Sequence, residues 1–339
     1  MLISEEHSNT REELRSSSFP DQVTHLIGIA YSDFVRAIKS PIRFHLFMGF
    51  ILLLEMGLIF VFSAFLLKSA LFALAVGGLL FTFFCYLLLR QYLLSKRPFQ
   101  LLSVRERFVE ECLKVIPQNK SQAHRQILVA NACCKLATAF AGKEYRFYSP
   151  PRWLKSLNTF SETLSCWLHW MDIHEIKELL LLQAVQEHVE LVIQEPTSLE
   201  CHAALANAYV MLSGLYVEHQ GRMGDRWIPS TINKEQLNIK FRQTAERAIE
   251  EFKILNEYAP NDLWVHSQLA YSYRDLKMPE QEIHEYEIML VIRPDDPETL
   301  YKLGTLYFER GHHAKGLEVY ARLRSLDHHR AADLIQHYG

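Results

Sequence analysis

Leu269-Ala270-Tyr271-Ser272-Tyr273 returns as Leu303-Gly304-Thr305-Leu306-Tyr307, 34 residues further along the chain. Tyr286 returns at the same distance as Tyr320, and Pro260 as Pro294. A Leu and a Tyr four residues apart lie on one face of a helix, and the small residue beside the Leu lets a second helix come close. The Pro beyond each second helix stops it. An echo of this period predicts units of two antiparallel helices that cannot bury their apolar faces alone and so stack on their neighbours.

The flanking sequence is helical as well. Val104 to Ile116 keeps helical spacing up to Pro117, Ser121 to Ala141 up to Gly142, Ile173 to Ile193 up to Pro196, and Leu199 to Val217 up to Gly221. Asn233, with Gln236 three residues on, suits a capping box opening a helix that reaches Tyr258 and stops at Pro260. No alternating strand pattern bounded by turn residues intervenes, so the expected class is all-α.

The echo resembles the tetratricopeptide repeat family, with residues 263–296 and 297–330 as its two best copies. Leu205-Ala206-x-x-Tyr209 is similar to the first helix of a further repeat, and Ala248-x-x-x-Phe252 with Pro260 to its second. Residues 199–262 thus read as an interrupted copy, because Ala206 and Ala248 stand 42 residues apart where Ala270 and Glu282 stand 12 apart. Ala184-x-x-x-His188 with Pro196 resembles a degenerate second helix, and Val129-Ala130-x-x-Cys133 its first half without the aromatic. His266 and Leu300 depart from the Trp the family favours, and Gly316 takes the small position of the last second helix. His328 and Ala331 to Tyr338 are expected to cap the last apolar face.

The resemblance implies a solenoid whose first helices line a groove for a protein or peptide partner. Mapped onto this chain, the groove side presents Asn207 and Met211, then Trp264, Ser267, Tyr271, Arg274 and Asp275, then Tyr301, Thr305, Phe308 and Glu309. Aromatic rings and an Arg are the residue types that anchor interfaces; packing of Trp264 and Phe308 against the insertions is the alternative. Repeats of this family that clamp the carboxylate of chaperone tails need further cations. Here Asn207 and Lys302 match, but Ala203 and Glu298 stand at the cation positions. An extended or helical peptide is expected instead.

From Phe44 to Leu67 the only Asp, Glu, Lys or Arg is Glu55, and from Ala70 to Leu89 there is none. Each run meets the ~20 residues a spanning helix needs. Only Lys68 and Ser69 separate them, so residues 44–94 are expected to form an antiparallel hairpin in the bilayer. Arg36, Lys39 and Arg43 flank one span and Arg90, Lys96 and Arg97 the other, against Lys68 at the tip, which places both termini in the cytoplasm. Ser69, Ala73 and Gly77 form a small-residue stripe, with Gly49 and Gly57 as its counterpart, expected to pack within the hairpin, with dimerisation in the membrane as the alternative. Glu55, with no second acidic or Lys/Arg side chain in either span, is expected to hydrogen-bond inside the hairpin or to a partner helix.

Ahead of the hairpin, Val23, Leu26, Ile27, Ala30, Phe34 and Ile38 keep helical spacing until Ser40-Pro41. This helix either lies in the membrane interface or packs on the repeat domain. One insertion carries Trp153, Leu157, Phe160, Leu164, Trp167, Leu168 and Met171 at helical spacing. Internal packing is its expected use, contact with the bilayer the alternative. The other insertion holds Gly221-Arg222-Met223-Gly224-Asp225-Arg226-Trp227, read as a surface connection.

A net charge of −3 leaves no basic stripe for nucleic acid. The six cysteines, Cys85, Cys112, Cys133, Cys134, Cys166 and Cys201, show no framework spacing and read as small buried hydrophobes in a reducing compartment. The N-terminus, with Glu5, Glu6, Glu12 and Glu13, is unlike a cleavable signal. His312-His313 and His328-His329 lack the helical i, i+4 spacing of zinc hydrolases, so no metal is expected, and no nucleophile elbow, phosphate loop or dinucleotide fingerprint points to catalysis, a cofactor or a small-molecule substrate.

The expected organisation is an N-terminal cytoplasmic segment over residues 1–43, the hairpin over 44–94 and the solenoid with insertions over 95–339. The expected function is a scaffold anchored in the bilayer, as in a bacterial inner membrane, that gathers a polypeptide. Two closely spaced spans also resemble the bilobed segment of inclusion membrane proteins of intracellular bacteria, which would put the repeats in a host cytoplasm. An enzyme or ion-coupled protein using Glu55 is the rival from another class.

Overall fold

The computed structural model describes residues 19–62, 71–117, 119–147, 158–217 and 234–338. Eleven helices account for most of them: α1 (Phe19–Val61), α2 (Leu71–Val115), α3 (Gln122–Ala139), α4 (Asn158–Gln194), α5 (Leu199–Val217), α6 (Lys234–Tyr258), α7 (Leu263–Asp275), α8 (Pro279–Ile292), α9 (Pro297–Glu309), α10 (His313–Leu326) and α11 (His328–Leu334). Short 3₁₀ turns cover Lys143–Tyr145 and Ile335–Tyr338, and no strand occurs among the described residues. The chain divides into two compact units, Met1–Leu180 and Leu181–Gly339, with the boundary inside α4.

In the first unit α1 and α2 pack on each other and both touch α3. Val23, Ala30, Phe34 and Ile38 of α1 are buried, as are Leu101, Val104, Phe108 and Cys112 of α2. The Phe34 ring meets Phe140 edge-on at 4.7 Å, and Arg107 donates to Asp33 across the helices at 2.9 Å. The amphipathic start of α1 therefore packs, where the sequence left an interfacial position open.

Pro41, expected to stop a helix, does not, and Pro98 likewise lies inside one. α1 runs through Pro41 and α2 through Pro98. An interior proline costs about 3 kcal/mol, whereas each fully buried Ile, Leu, Met or Phe contributes about 1.5–3 kcal/mol. Ile38 and Met48 are buried on either side of Pro41, and Leu101 and Val104 just beyond Pro98. Burial on both flanks of Pro41, and beyond Pro98, outweighs the break.

Both helices are long and apolar enough to cross a membrane, and only 6% and 0% of their most apolar windows are buried. From Leu46 to Phe62 and from Phe72 to Leu89, large apolar side chains stand exposed, a surface far beyond what a water-soluble monomer leaves uncovered. Across the pair, the Thr82 hydroxyl donates to Glu55 Oε1 at 2.9 Å, and the Phe44 ring stacks on Tyr86. The small-residue stripe does not pack within this pair, contrary to expectation. A Cβ added at Gly49, Gly57 or Gly77 would meet nothing within 4 Å, and Ala73 is exposed. Lys68 and Ser69, like Trp153, Leu157, Asn233 and the loop from Gly221 to Trp227, lie outside the described residues.

In the second unit α5 pairs with α6, α7 with α8 and α9 with α10, and successive pairs meet through α6 with α7 and α8 with α9. The 34-residue echo reappears as structure. Asp262 caps α7 by accepting from the Trp264 amide, and Asp296 caps α9 by accepting from the Thr299 amide. Lys277 and Gly311 both take left-handed backbone, at φ 59° and 75°, where one helix turns into the next. Leu269 and Leu303, then Tyr273 and Tyr307, are buried at equivalent places. At the end of the chain α11 closes the last pair, with Leu334 filling the space that a Cβ on Gly304 would need, 2.7 Å away.

Tyr273 is only 7% exposed. Replacing it by Ala should cost ~3 kcal/mol or more, the usual loss for truncating a buried aromatic. Chemical denaturation of the full chain in detergent, followed by hydrogen exchange in α7 and α8, measures this. Unchanged protection there would show that the ring does not hold these two helices together.

Candidate functional site

A cleft of about 300 Å³ opens where the α7–α8 pair meets α9. α7 contributes Leu263, Trp264, Ser267 and Tyr271, α8 contributes Tyr286, Met289 and Arg293, and the start of α9 contributes Asp296, Glu298, Thr299 and Lys302. The capping of α7 by Asp262 starts the helix at Leu263, which turns positions 264, 267 and 271 to one side.

The walls differ in chemistry. Trp264 is 40% exposed and meets Phe252 edge-on at 5.8 Å, so its ring is partly anchored and partly open. Lys302 donates to the Tyr271 hydroxyl at 3.0 Å and to Glu298 at 2.6 Å. Burial works against its charge, but these hydrogen bonds hold the Lys302 pKa above the ordinary value. Arg274 and Lys302 both lie over the Tyr271 ring, 5.1 and 5.0 Å from its centre. Asp296, though burial opposes ionisation, is held below the usual carboxylate range by hydrogen bonds from Thr299.

Tyr286 stands apart. It is 1% exposed, and its hydroxyl has no hydrogen-bond partner. Burial first, and Glu282 second, pushes its pKa up to about 12, so it is a neutral phenol with a donor to give. A buried donor left unpaired costs about 1–3 kcal/mol, which an acceptor brought into the cleft would recover.

Of the residues expected to face a groove, Trp264, Ser267 and Tyr271 line the cleft, and Arg274 sits at its edge over Tyr271, 3.9 Å from Asp275. Asn207 is exposed on α5 and does not line it. Tyr301 and Thr305 are half-buried, with the Thr305 hydroxyl turned back onto the Tyr301 carbonyl at 2.9 Å and the Tyr301 ring facing His337. Phe308 is a correction. It is 4% exposed and lies so close to Gly316 that a Cβ there would come within 2.4 Å of its ring, while Tyr338 covers its other side. Glu55 bonds to Thr82 as described above.

The α8 side of the cleft was not foreseen, because only first helices were read as groove-forming. Tyr286 was visible as a repeated aromatic, but nothing in the sequence separates a packed ring from one with a free hydroxyl.

Two histidines hold the turns between pairs. His202 bonds through Nδ1 to Glu251 at 2.6 Å and through Nε2 to the Pro196 carbonyl at 3.0 Å. His266 repeats the pattern with Glu285 at 2.7 Å and the Pro260 carbonyl at 2.9 Å. Among the described residues no three His, Cys, Asp or Glu side chains gather as a metal site.

No protein-family model matches the chain, and no curated protein matches it.

Proposed function

We propose that the chain is a membrane-anchored scaffold of the tetratricopeptide kind, which holds a protein or peptide partner in the cleft of α7, α8 and α9. Helices α1 and α2 anchor it in the membrane, with both termini in the cytoplasm as in a bacterial inner membrane. The observation that carries the reading is a cleft walled by Trp264 and Tyr271 and lined also by Tyr286, whose buried hydroxyl has no partner. A polypeptide offers what this site lacks, a backbone or side-chain acceptor for the phenol beside an apolar side chain for the indole. Lys302 is already engaged by Glu298, so the cleft favours a mixed apolar and polar segment over a terminal carboxylate. The 34-residue recurrence of caps, left-handed turns and buried tyrosines supports the solenoid on which this reading rests.

The test is a photo-crosslinking amino acid in place of Ser267, in the full chain in its native membrane. Illumination should give an adduct with another polypeptide. Trp264→Ala with Tyr271→Ala should reduce it at least about tenfold, since anchor truncations commonly cost ~2 kcal/mol each. Glu55→Gln should leave it intact. An adduct indifferent to both aromatic substitutions, or no polypeptide adduct at all, would refute the scaffold.

A further inference from the structure

The first half of α4 exposes a face that no described residue of its unit covers. Phe160, Trp167 and Met171 are 65%, 58% and 59% exposed, Leu168 stands beside them, and Leu164 is half-buried between. Positions 160, 164, 167 and 171 fall on one side of a helix, a stripe of roughly 17 Å. Internal packing, the use expected from the sequence, is taken by the opposite face instead. There Ser165, Cys166, His169, Trp170 and Ile173 are buried, with the Ser165 hydroxyl bonding the Phe147 amide and the Glu144 carbonyl. On the exposed face the apolar run ends at Met171, since Glu175 and Glu178 occupy the next positions.

The level of this stripe relative to the membrane follows from one ion pair. Asp172, adjacent to Met171, bonds Arg97 of α2 at 3.3 Å. Arg97 stands three residues beyond Leu94, the last apolar residue before Lys96, or roughly 4.5 Å along the helix. Asp172 is thus held at the depth where lipid headgroups begin. The exposed apolar band of α2 reaches the same depth and passes it, through Tyr92, Leu94 and Phe99.

We propose that the first half of α4 is an interfacial helix, with Phe160, Trp167 and Met171 seated in the boundary between headgroups and acyl chains on the side where α2 leaves the bilayer. Aromatic rings prefer this layer, and an amphipathic helix lying in it buries its apolar face about 5–10 Å deep. The occupant is lipid, because the stripe continues an apolar surface already suited to lipid and shares its depth through the Arg97–Asp172 bond. The scaffold would then be tied to the surface as well as threaded through it, which limits how its partner can be presented. This rests on α1 and α2 being membrane-spanning.

The full chain, reconstituted in phosphatidylcholine vesicles with or without acyl-brominated phosphatidylcholine, tests it. The Trp167 signal is the difference between the parent and the Trp167→Phe protein. Bromolipid should extinguish most of that signal, and aqueous iodide should leave it nearly unchanged. Quenching by iodide alone would put the stripe in water, and shielding from both would mean that protein covers it; either overturns the proposal. Flotation of the vesicles separates these outcomes from a failure of the anchor itself. A chain that does not float with lipid refutes both.

Discussion

Glu285→Ala should destabilise the second unit by about 3–5 kcal/mol, and the loss should be recovered by copying the solution found one repeat later. His266 is 1% exposed, and both its ring nitrogens face acceptors, the Glu285 carboxylate and the Pro260 carbonyl. Both nitrogens are therefore engaged, one by the carboxylate and the other by the carbonyl. Without Glu285 the buried Nδ1 of His266 is left without a partner. Thirty-four residues on, the equivalent positions hold Leu300 and Val319, both buried, and the Pro294 carbonyl accepts from Arg322 at 2.6 Å instead. The corresponding triple replacement is His266→Leu, Glu285→Val and Ile288→Arg. Replacing a buried ion pair by apolar residues of similar fit is often neutral, and the new Arg supplies the donor for Pro260. Hydrogen exchange across α7 and α8 in the full chain should show protection lost in the single variant and restored to within ~1 kcal/mol in the triple. A triple variant no better than the single one would mean that the two turns are not equivalent.

The sister pair sets a pH dependence. Burial alone would lower the His202 pKa, but the hydrogen bond to Glu251 and the Pro196 carbonyl outweigh it, and the net direction is upward. A histidine whose folded pKa lies above its unfolded value of about 6.5 contributes its full stability below that value. The contribution is lost as pH rises through the folded value, so protection in α5 and α6 should fall on the alkaline side. Glu251→Gln should remove that slope.

Much of the second unit was legible because its repeat is written in residues whose spacing alone has meaning. Tyr273 and Tyr307, Leu269 and Leu303, and the prolines at 260 and 294 mark helix faces and ends whatever surrounds them. Pro41 misled for the complementary reason. A proline's local penalty is fixed, but whether it breaks a helix depends on burial further along the chain, which has no local signature. Phe308 was placed on the open side by its register, and only the return of Tyr338 and the bare Gly316 show why it is buried. The α4 stripe was equally ambiguous, since an apolar face at helical spacing is the same whether protein or lipid covers it. The cleft was read from one wall because helix register gives direction and not the state of a hydroxyl such as that of Tyr286.

In sealed vesicles whose cytoplasmic face points outward, added protease should remove both the segment before α1 enters the bilayer and everything beyond residue 94. The expectation combines charge with exposed surface. Arg36, Lys39 and Arg43 precede the first apolar run and Arg90, Lys96 and Arg97 close the second, while only Lys68 lies between the runs. Basic residues near the ends of spanning helices tend to be retained in the cytoplasm, so six against one predicts this orientation. The two helices contact each other, and the Thr82–Glu55 bond ties them at a depth where a carboxyl group without a partner is costly. Pulling one helix out would expose that bond to hydrocarbon and leave large side chains such as Phe60, 81% exposed, in water. The helices should therefore enter and stay as a pair, and the first protease cut should never separate the fate of the two ends. Protection of the N-terminal segment with digestion of the rest would mean a single crossing. Protection of both ends would mean the reverse orientation, with the cleft of α7, α8 and α9 facing away from the cytoplasm.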